Sequence, residues 1–263
     1  MLEVKALDKS YSFSTIPFRK KRIKVLDNIS FRINKHETLC IVGESGCGKT
    51  TLAKCIVNLE NPDNGKIILE GRDVTFPDRK TLYYLHTKVQ MIFQNADTSL
   101  NPRHHIYDSM AEPLRLQGQN EEKVRKRVFQ LLDHVGLSEE HLHRHPHQLS
   151  GGQNQRIAIA RAIALHPDLL IADEITAALD VSVQAQILQL LKTLKKEMDM
   201  TLLFISHDLA LVKRIADRVA VMQDGRLVEI NDTNEIFHNP QCPYTKELIS
   251  SMSQLSLDKQ ILK

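Results

Sequence analysis

An α/β fold is predicted for this chain of 263 residues by two segment textures and one loop. DLLIAD ending at Asp173, TLLFIS before His207 and RVAVMQ before Asp224 are apolar throughout, as strands inside a parallel sheet are. Helix-periodic segments alternate with them, EEKVRKRVFQLLDHV (121–135) being the clearest. The loop is GESGCGKT, Gly43 to Thr50, with the strand TLCIV before it and the helix-forming TTLAKCIVNL after it.

In chain order, LEVKALD, VLDNISFRI and ETLCIVG read as strands, and KIILE is a further strand running into the turn Gly71-Arg72-Asp73. From about Asn95 to Gly136 the texture is helical. Strand texture returns at DLLIAD, and Asp224-Gly225 marks a hairpin between RVAVMQ and RLVEI. The polar stretch after Ser250 reads as a loosely ordered tail. These segments make a nucleotide-binding core with a mostly helical insertion over roughly 95–165. There is no internal repeat, and sheet order is not readable from the pattern.

With 42% hydrophobic and 25% charged residues, the composition is that of an ordinary globular protein. A formal charge of +3 is too small to argue for nucleic acid as a partner. No apolar run approaches the ~18–20 residues that span a bilayer, and no signal peptide is seen, so a membrane role would come through a partner. Cys40, Cys47, Cys55 and Cys242 show no Cys-x-x-Cys spacing and read as free thiols in a reducing compartment.

GESGCGKT matches G-x-x-x-x-G-K-[ST] in the context that motif requires. Gly43, Glu44, Ser45, Gly46, Cys47 and Gly48 offer backbone amides to phosphates. Lys49 offers a point charge to the β- and γ-phosphates, Thr50 a hydroxyl for Mg²⁺, and Thr51 continues the helix start. Helix dipole and Lys49 together predict thiolate character at Cys47. A second Mg²⁺ ligand is expected where a buried strand ends, which fits Asp173. Glu174 next to it could polarise a water for attack on the γ-phosphate.

LSGGQ, 149–153, presents a puzzle. Ser150 suits an N-cap, and Gly151, Gly152 and Gln153 open another helix whose bare amides suit an anion. One nucleotide does not need two cradles.

GESGCGKT, Gln94 in MIFQ, LSGGQ, LLIADE, AALD at 177–180 and His207 in ISHD occur in the order and spacing of an ABC-transporter ATPase subunit, which this chain resembles over residues 2 to about 250. SLNPR (99–103), DVSVQAQIL (180–188) and NPQCPYTKELI (239–249) are similar to the dipeptide/oligopeptide/nickel importer group. The resemblance implies a P-loop NTPase core with an N-terminal antiparallel β subdomain and a helical subdomain. A single domain would cover 1–250, with its core at about 1–94 and 166–236, the helical part at 95–165 and a tail at 237–263.

It also implies roles. Tyr11 would stack on adenine, Gln94 would touch Mg²⁺ or the attacking water, and His207 would contact the γ-phosphate. Asp180 would reach toward another subunit, and Ser150 to Gln153 would cap the nucleotide held by a partner cassette. Expected partners are a second ATPase subunit, two transmembrane permeases and an extracytoplasmic binding protein, with the chain peripheral to the cytoplasmic face of a bacterial membrane. The implied cargo is a short peptide, with nickel or a metal chelate as the alternative. A soluble ABC-type ATPase acting on nucleic acid is the rival from another class, disfavoured by the single cassette and compact insertion.

The chain departs from the family's usual pattern in three places. Ile175 stands where proline commonly follows the glutamate, Asn154 follows the signature, and Cys242 replaces the histidine of His-Pro-Tyr. Two further stretches carry the weaker readings. HLHRHPHQ (141–148) invites a metal, but a solvated loop explains it better. FRKKRIK (18–24) reads as a solvated basic loop, with anionic lipid as the alternative.

Overall fold

The computed structural model describes residues 1–16, 19–94 and 99–251. Its backbone contacts group into two units, residues 1–85 with 203–263, and residues 86–202.

In the first unit, β1 (Leu2–Ile16) and β2 (Arg19–Ile33) form a long antiparallel hairpin, pairing Leu2 with Ile33. The other edge of β1 pairs antiparallel with β4 (Asn64–Leu69), and β5 (Arg72–Asp73) completes the order β2-β1-β4-β5. Leu2, Val4, Leu26, Ile29, Ile67 and Leu69 are buried, each contributing about 1.5–3 kcal/mol of apolar transfer. The β4–β5 turn places Glu70 at φ 50° and Gly71 at φ 83°, so both central residues are left-handed, as a tight hairpin turn demands.

The basic run lies in β2 from Arg19 onward, not in a loop; Phe18 is outside the described residues. Two of its cations have carboxylate partners: Arg22 pairs with Asp63 at 2.6 Å and Lys24 with Asp8 at 2.9 Å.

The same unit contains β3 (Thr38–Val42), β8 (Thr201–Ile205) from Leu203 onward, β9 (Arg218–Gln223) and β10 (Arg226–Asp232), in the order β10-β9-β3-β8. β3 runs parallel to β9, with Leu39 opposite Arg218 and Val42 opposite Val221. Every residue of β3 and β8 is buried, which explains their unbroken apolar texture. Helix α1 (Lys49–Ile56) follows β3 and buries Leu52, Ala53 and Ile56. Asp224 at φ 47° and Gly225 at φ 78° make the predicted β9–β10 turn. α7 (Leu209–Ile215), α8 (Thr233–His238) and a helix over 243–251, α9, complete the unit. The remaining tail, from 252, is outside the described residues.

α2 (Arg79–Lys88) leads into the second unit, where β6 (Val89–Ile92) pairs parallel with β7 (Leu169–Asp173). α3 (Ile106–Leu116), α4 (Glu121–Val135) and α5 (Gly151–Ala162) pack on one another, and α6 (Val181–Glu197) follows β7. α4 has the start and stop its sequence announces. The Asn120 side chain accepts from Lys123 N at 3.0 Å, and Gly136 closes the helix at φ 67°.

Candidate functional site

Each unit holds part of the predicted residue set. In the first, Gly43 to Thr50 connect the C-terminal end of β3 to α1. Close packing forces two of the glycines. A Cβ on Gly43 would lie 2.1 Å from the Met222 carbonyl oxygen, and one on Gly48 would lie 2.6 Å from that of Val25. Gly46, at φ 83°, has no neighbour within 4 Å of such an atom, so the backbone conformation alone requires glycine there. Lys49 is only 4% exposed, and its ammonium donates to the carbonyls of Gly43 and Glu44, both at 2.8 Å. The loop is thereby wrapped around its own cation, while Glu44, Ser45 and Gly46 stay exposed. Thr50 and Thr51 are half-buried at the start of α1.

The loop is braced from outside. Gly225 N donates to the Cys47 carbonyl at 3.1 Å, so the β9–β10 turn supports the phosphate loop directly. Tyr244 from α9 reaches it too, its phenol oxygen accepting from Glu44 N at 3.3 Å. Sequence pattern assigns no role to Tyr244, since the Cys242-Pro243-Tyr244 run carries no sign of a contact 200 positions away.

Cys47 corrects an expectation. Its thiol is buried, and that burial pushes its pKa up despite the pull of Lys49, whose Nζ is 3.9 Å from Sγ. Burial therefore works against the thiolate character inferred from the loop's charge.

β8 neighbours β3, and Ser206 N donates to the Ile41 carbonyl at 3.2 Å. His207 follows, exposed, just before Asp208 caps α7 by accepting from Ala210 N at 2.8 Å. It lies beyond the end of β8, beside the strand that delivers the phosphate loop. Tyr11 lies in β1 with the Lys9 ammonium 5.2 Å from its ring centroid.

In the second unit, Asp173 ends β7 and is 2% exposed. Glu174 leaves the strand at φ 47°, a left-handed conformation that a glutamate adopts only when its surroundings hold it there. The Gln94 amide nitrogen donates to Glu174 Oε2 at 2.9 Å, joining two residues 80 positions apart that the sequence had placed in one reaction.

The signature forms the helix start expected of it. Ser150 Oγ accepts from Gln153 N at 3.3 Å, and Ser150 N donates back to Gln153 Oε1 at 2.9 Å, a reciprocal capping box. Gly151 is exposed, and at Gly152 a Cβ would meet Val183 Cγ1 at 2.8 Å. Asp180, exposed, precedes α6. The segment between Thr176 and Asp180 is tied down by Gln184, whose amide donates to the carbonyls of Thr176 and Leu179, both at 3.0 Å. Among the described residues, no group of three or more His, Cys, Asp or Glu side chains could hold a metal ion.

A glycine-forced phosphate loop at the end of a buried strand, with a carboxylate pair ending another strand, defines a P-loop nucleotide triphosphatase of α/β architecture. The chain belongs to the ABC transporter family, whose model matches residues 26–177. It is 47% identical to the oligopeptide transport ATP-binding protein OppF of Bacillus subtilis over 88% of this chain and 76% of that protein. It is 42% identical to the dipeptide transport ATP-binding protein DppF of Escherichia coli over 98% of this chain and 78% of that one. Among solved structures it is similar to a dimeric post-hydrolysis state of the ATP-binding cassette MJ0796 bound to ADP and Pi, with 30% identity and a TM-score of 0.79. That match covers 89% of this chain and 99% of the other.

Proposed function

We propose that this chain is the ATP-hydrolysing subunit of a bacterial importer of dipeptides or oligopeptides, working at the cytoplasmic face of the membrane. Among the described residues no helix is long and apolar enough to cross a membrane. The chain would act through two permease subunits. The observation that carries the reading is the presence in one chain of a complete phosphate loop and a separately capped LSGGQ helix. The peptide cargo is supported by the names of the relatives, OppF and DppF.

The chain acts as one cassette over residues 1–250, with its core at about 1–94 and 166–236 and a helical part at 95–165. Tyr11 offers its ring to adenine. The amides of Gly43 to Gly48 cradle the phosphates, and Lys49 turns its ammonium to the β- and γ-phosphates. Thr50, Asp173 and Gln94 are hard oxygen donors suited to Mg²⁺, and the Gln94 amide nitrogen, engaged by Glu174, leaves Oε1 as its ligand atom. When bound, Mg²⁺ neutralises charge on the β- and γ-phosphates. Glu174 orients the attacking water, aided by Gln94, and His207 contacts the γ-phosphate. Ser150, Gly151, Gly152 and Gln153 present their amides to the nucleotide of a second ATPase subunit, and Asp180 reaches toward that subunit. The second cradle thus serves another chain's ATP.

Beside Gln94, exposed Phe93 and Leu116 line a groove of about 190 Å³ within the second unit, a suitable seat for a permease. Reconstitution with two permeases, a second ATPase subunit and an extracytoplasmic binding protein tests the proposal. Peptide-loaded binding protein should stimulate MgATP hydrolysis. Stimulation by nickel-loaded protein alone would replace peptide with metal as cargo, and activation by nucleic acid without permeases would overturn transport.

A further inference from the structure

The histidine-rich stretch before the signature contains one imidazole whose hydrogen-bond partners select between its two ring nitrogens. His141, in a 3-10 turn over Glu139–His143, is 7% exposed. Its Nε2 lies 3.1 Å from the Gln153 amide nitrogen, and its Nδ1 lies 2.9 Å from both the Ser138 carbonyl oxygen and Ser138 Oγ.

The two ends of this chain of contacts permit one polarity. Ser150 N–H can only donate, so the Gln153 amide must turn Oε1 toward it and its NH₂ toward His141. An NH₂ group can only donate, so His141 Nε2 must carry a lone pair. The proton of the neutral ring therefore sits on Nδ1, where the Ser138 carbonyl, which can only accept, receives it. Ser138 Oγ closes the chain by donating to Glu140 Oε1 at 3.1 Å, and Glu140 in turn pairs with Arg144 at 3.6 Å. Every group in the series has the partner its chemistry requires.

We propose that His141 is a positioning residue for the signature turn: as the neutral Nδ1–H tautomer, it holds the Gln153 amide in the orientation that caps Ser150 N–H. Without an acceptor at Nε2, the Gln153 side chain loses the contact that selects this orientation. The capping box then loosens, and the Gly151 and Gly152 amides are no longer held in place. The consequence for hydrolysis rests on the reading that these amides serve a partner's nucleotide; the tautomer does not.

The ring-nitrogen chemical shifts of histidine-labelled full-length chain test the proton position, with the His141 signals identified by their loss in His141→Gln. Protonated Nδ1 and bare Nε2 are expected, and a proton on Nε2 would overturn the proposal outright. In the complex with the second ATPase subunit, His141→Leu keeps apolar bulk but offers no acceptor. It should slow hydrolysis at the partner's loop roughly three- to tenfold, the size of one lost hydrogen bond, with this chain's own ATP affinity unchanged. His141→Gln, which restores an acceptor oxygen, should recover most of that rate. Gln153→Ala should produce the same loss, and adding His141→Leu to it should change nothing further. Full activity of His141→Leu, or losses that add in the double variant, would show that His141 does not act through Gln153. Ser150→Arg, run alongside, separates the two ideas: if it spares the partner's hydrolysis, the signature does not act in trans, whatever the tautomer is.

Discussion

Glu174 combines a left-handed backbone with a side chain held by Gln94, so its carboxylate is both strained into place and oriented. Glu174→Gln keeps the shape and removes the carboxylate proposed to orient the water. ATP binding should persist while hydrolysis at this site falls about 100-fold or more, measured with the partner's site silenced. Near-normal turnover would assign the water to another residue. Cys47 gives a second test at this scale. Because burial raises its thiol, the reactive thiolate is scarce at neutral pH and becomes abundant only as the pH climbs past that raised value. Alkylation of Cys47 in the folded chain should therefore be slower at pH 7 than that of a free thiol peptide, and should accelerate with rising pH. Labelling at pH 7 as fast as the peptide's would contradict the burial argument.

Among the elements, the β9–β10 turn links fold and site. Gly225 donates to Cys47, sits at φ 78°, and has the Val25 carbonyl oxygen 2.6 Å from where a Cβ would be. Gly225→Ala should cost more than the ~1 kcal/mol of an ordinary glycine replacement and weaken ATP binding too, as thermal melting and nucleotide titration would reveal. The joint between α3 and α4 responds to acid. Arg115, then Tyr107, hold the Glu121 carboxyl down at about 2 from an ordinary 4.5. A lowered carboxylate favours the fold above its unfolded pKa, and the contribution disappears as pH falls from about 4.5 through 2. Glu121→Gln should lower the melting temperature slightly at pH 7, with the difference from wild type fading across that window; the pair is exposed, so salt should shrink it.

The elements also show where the sequence was readable. TLCIV, DLLIAD and TLLFIS lie in buried strands whose apolar runs announce them, and Asp224-Gly225 is a turn with its own chemical signature. The strand at the basic run was not legible because Asp8 and Asp63, the carboxylates that meet Lys24 and Arg22, are brought there only by folding. The ordered motif set singled out Gln94 and Glu174 separately, while their contact and that of Tyr244 with the phosphate loop left no local trace.

For the whole molecule, the central question is whose nucleotide the LSGGQ helix serves. The phosphate loop is complete within its own unit and the signature is a separately capped helix start, which is why the proposed function assigns the two cradles to different nucleotides. The direct test is Ser150→Arg in a complex with the second ATPase subunit, with photo-crosslinked ATP followed on each chain and hydrolysis followed at each loop. A bulky cation in place of the cap should leave labelling of this chain nearly unchanged, because Gly43 to Thr50 hold that ATP, and should abolish hydrolysis at the partner's loop. Loss of labelling on this chain, with hydrolysis at the partner's loop intact, would contradict the account and place the signature's action within its own subunit.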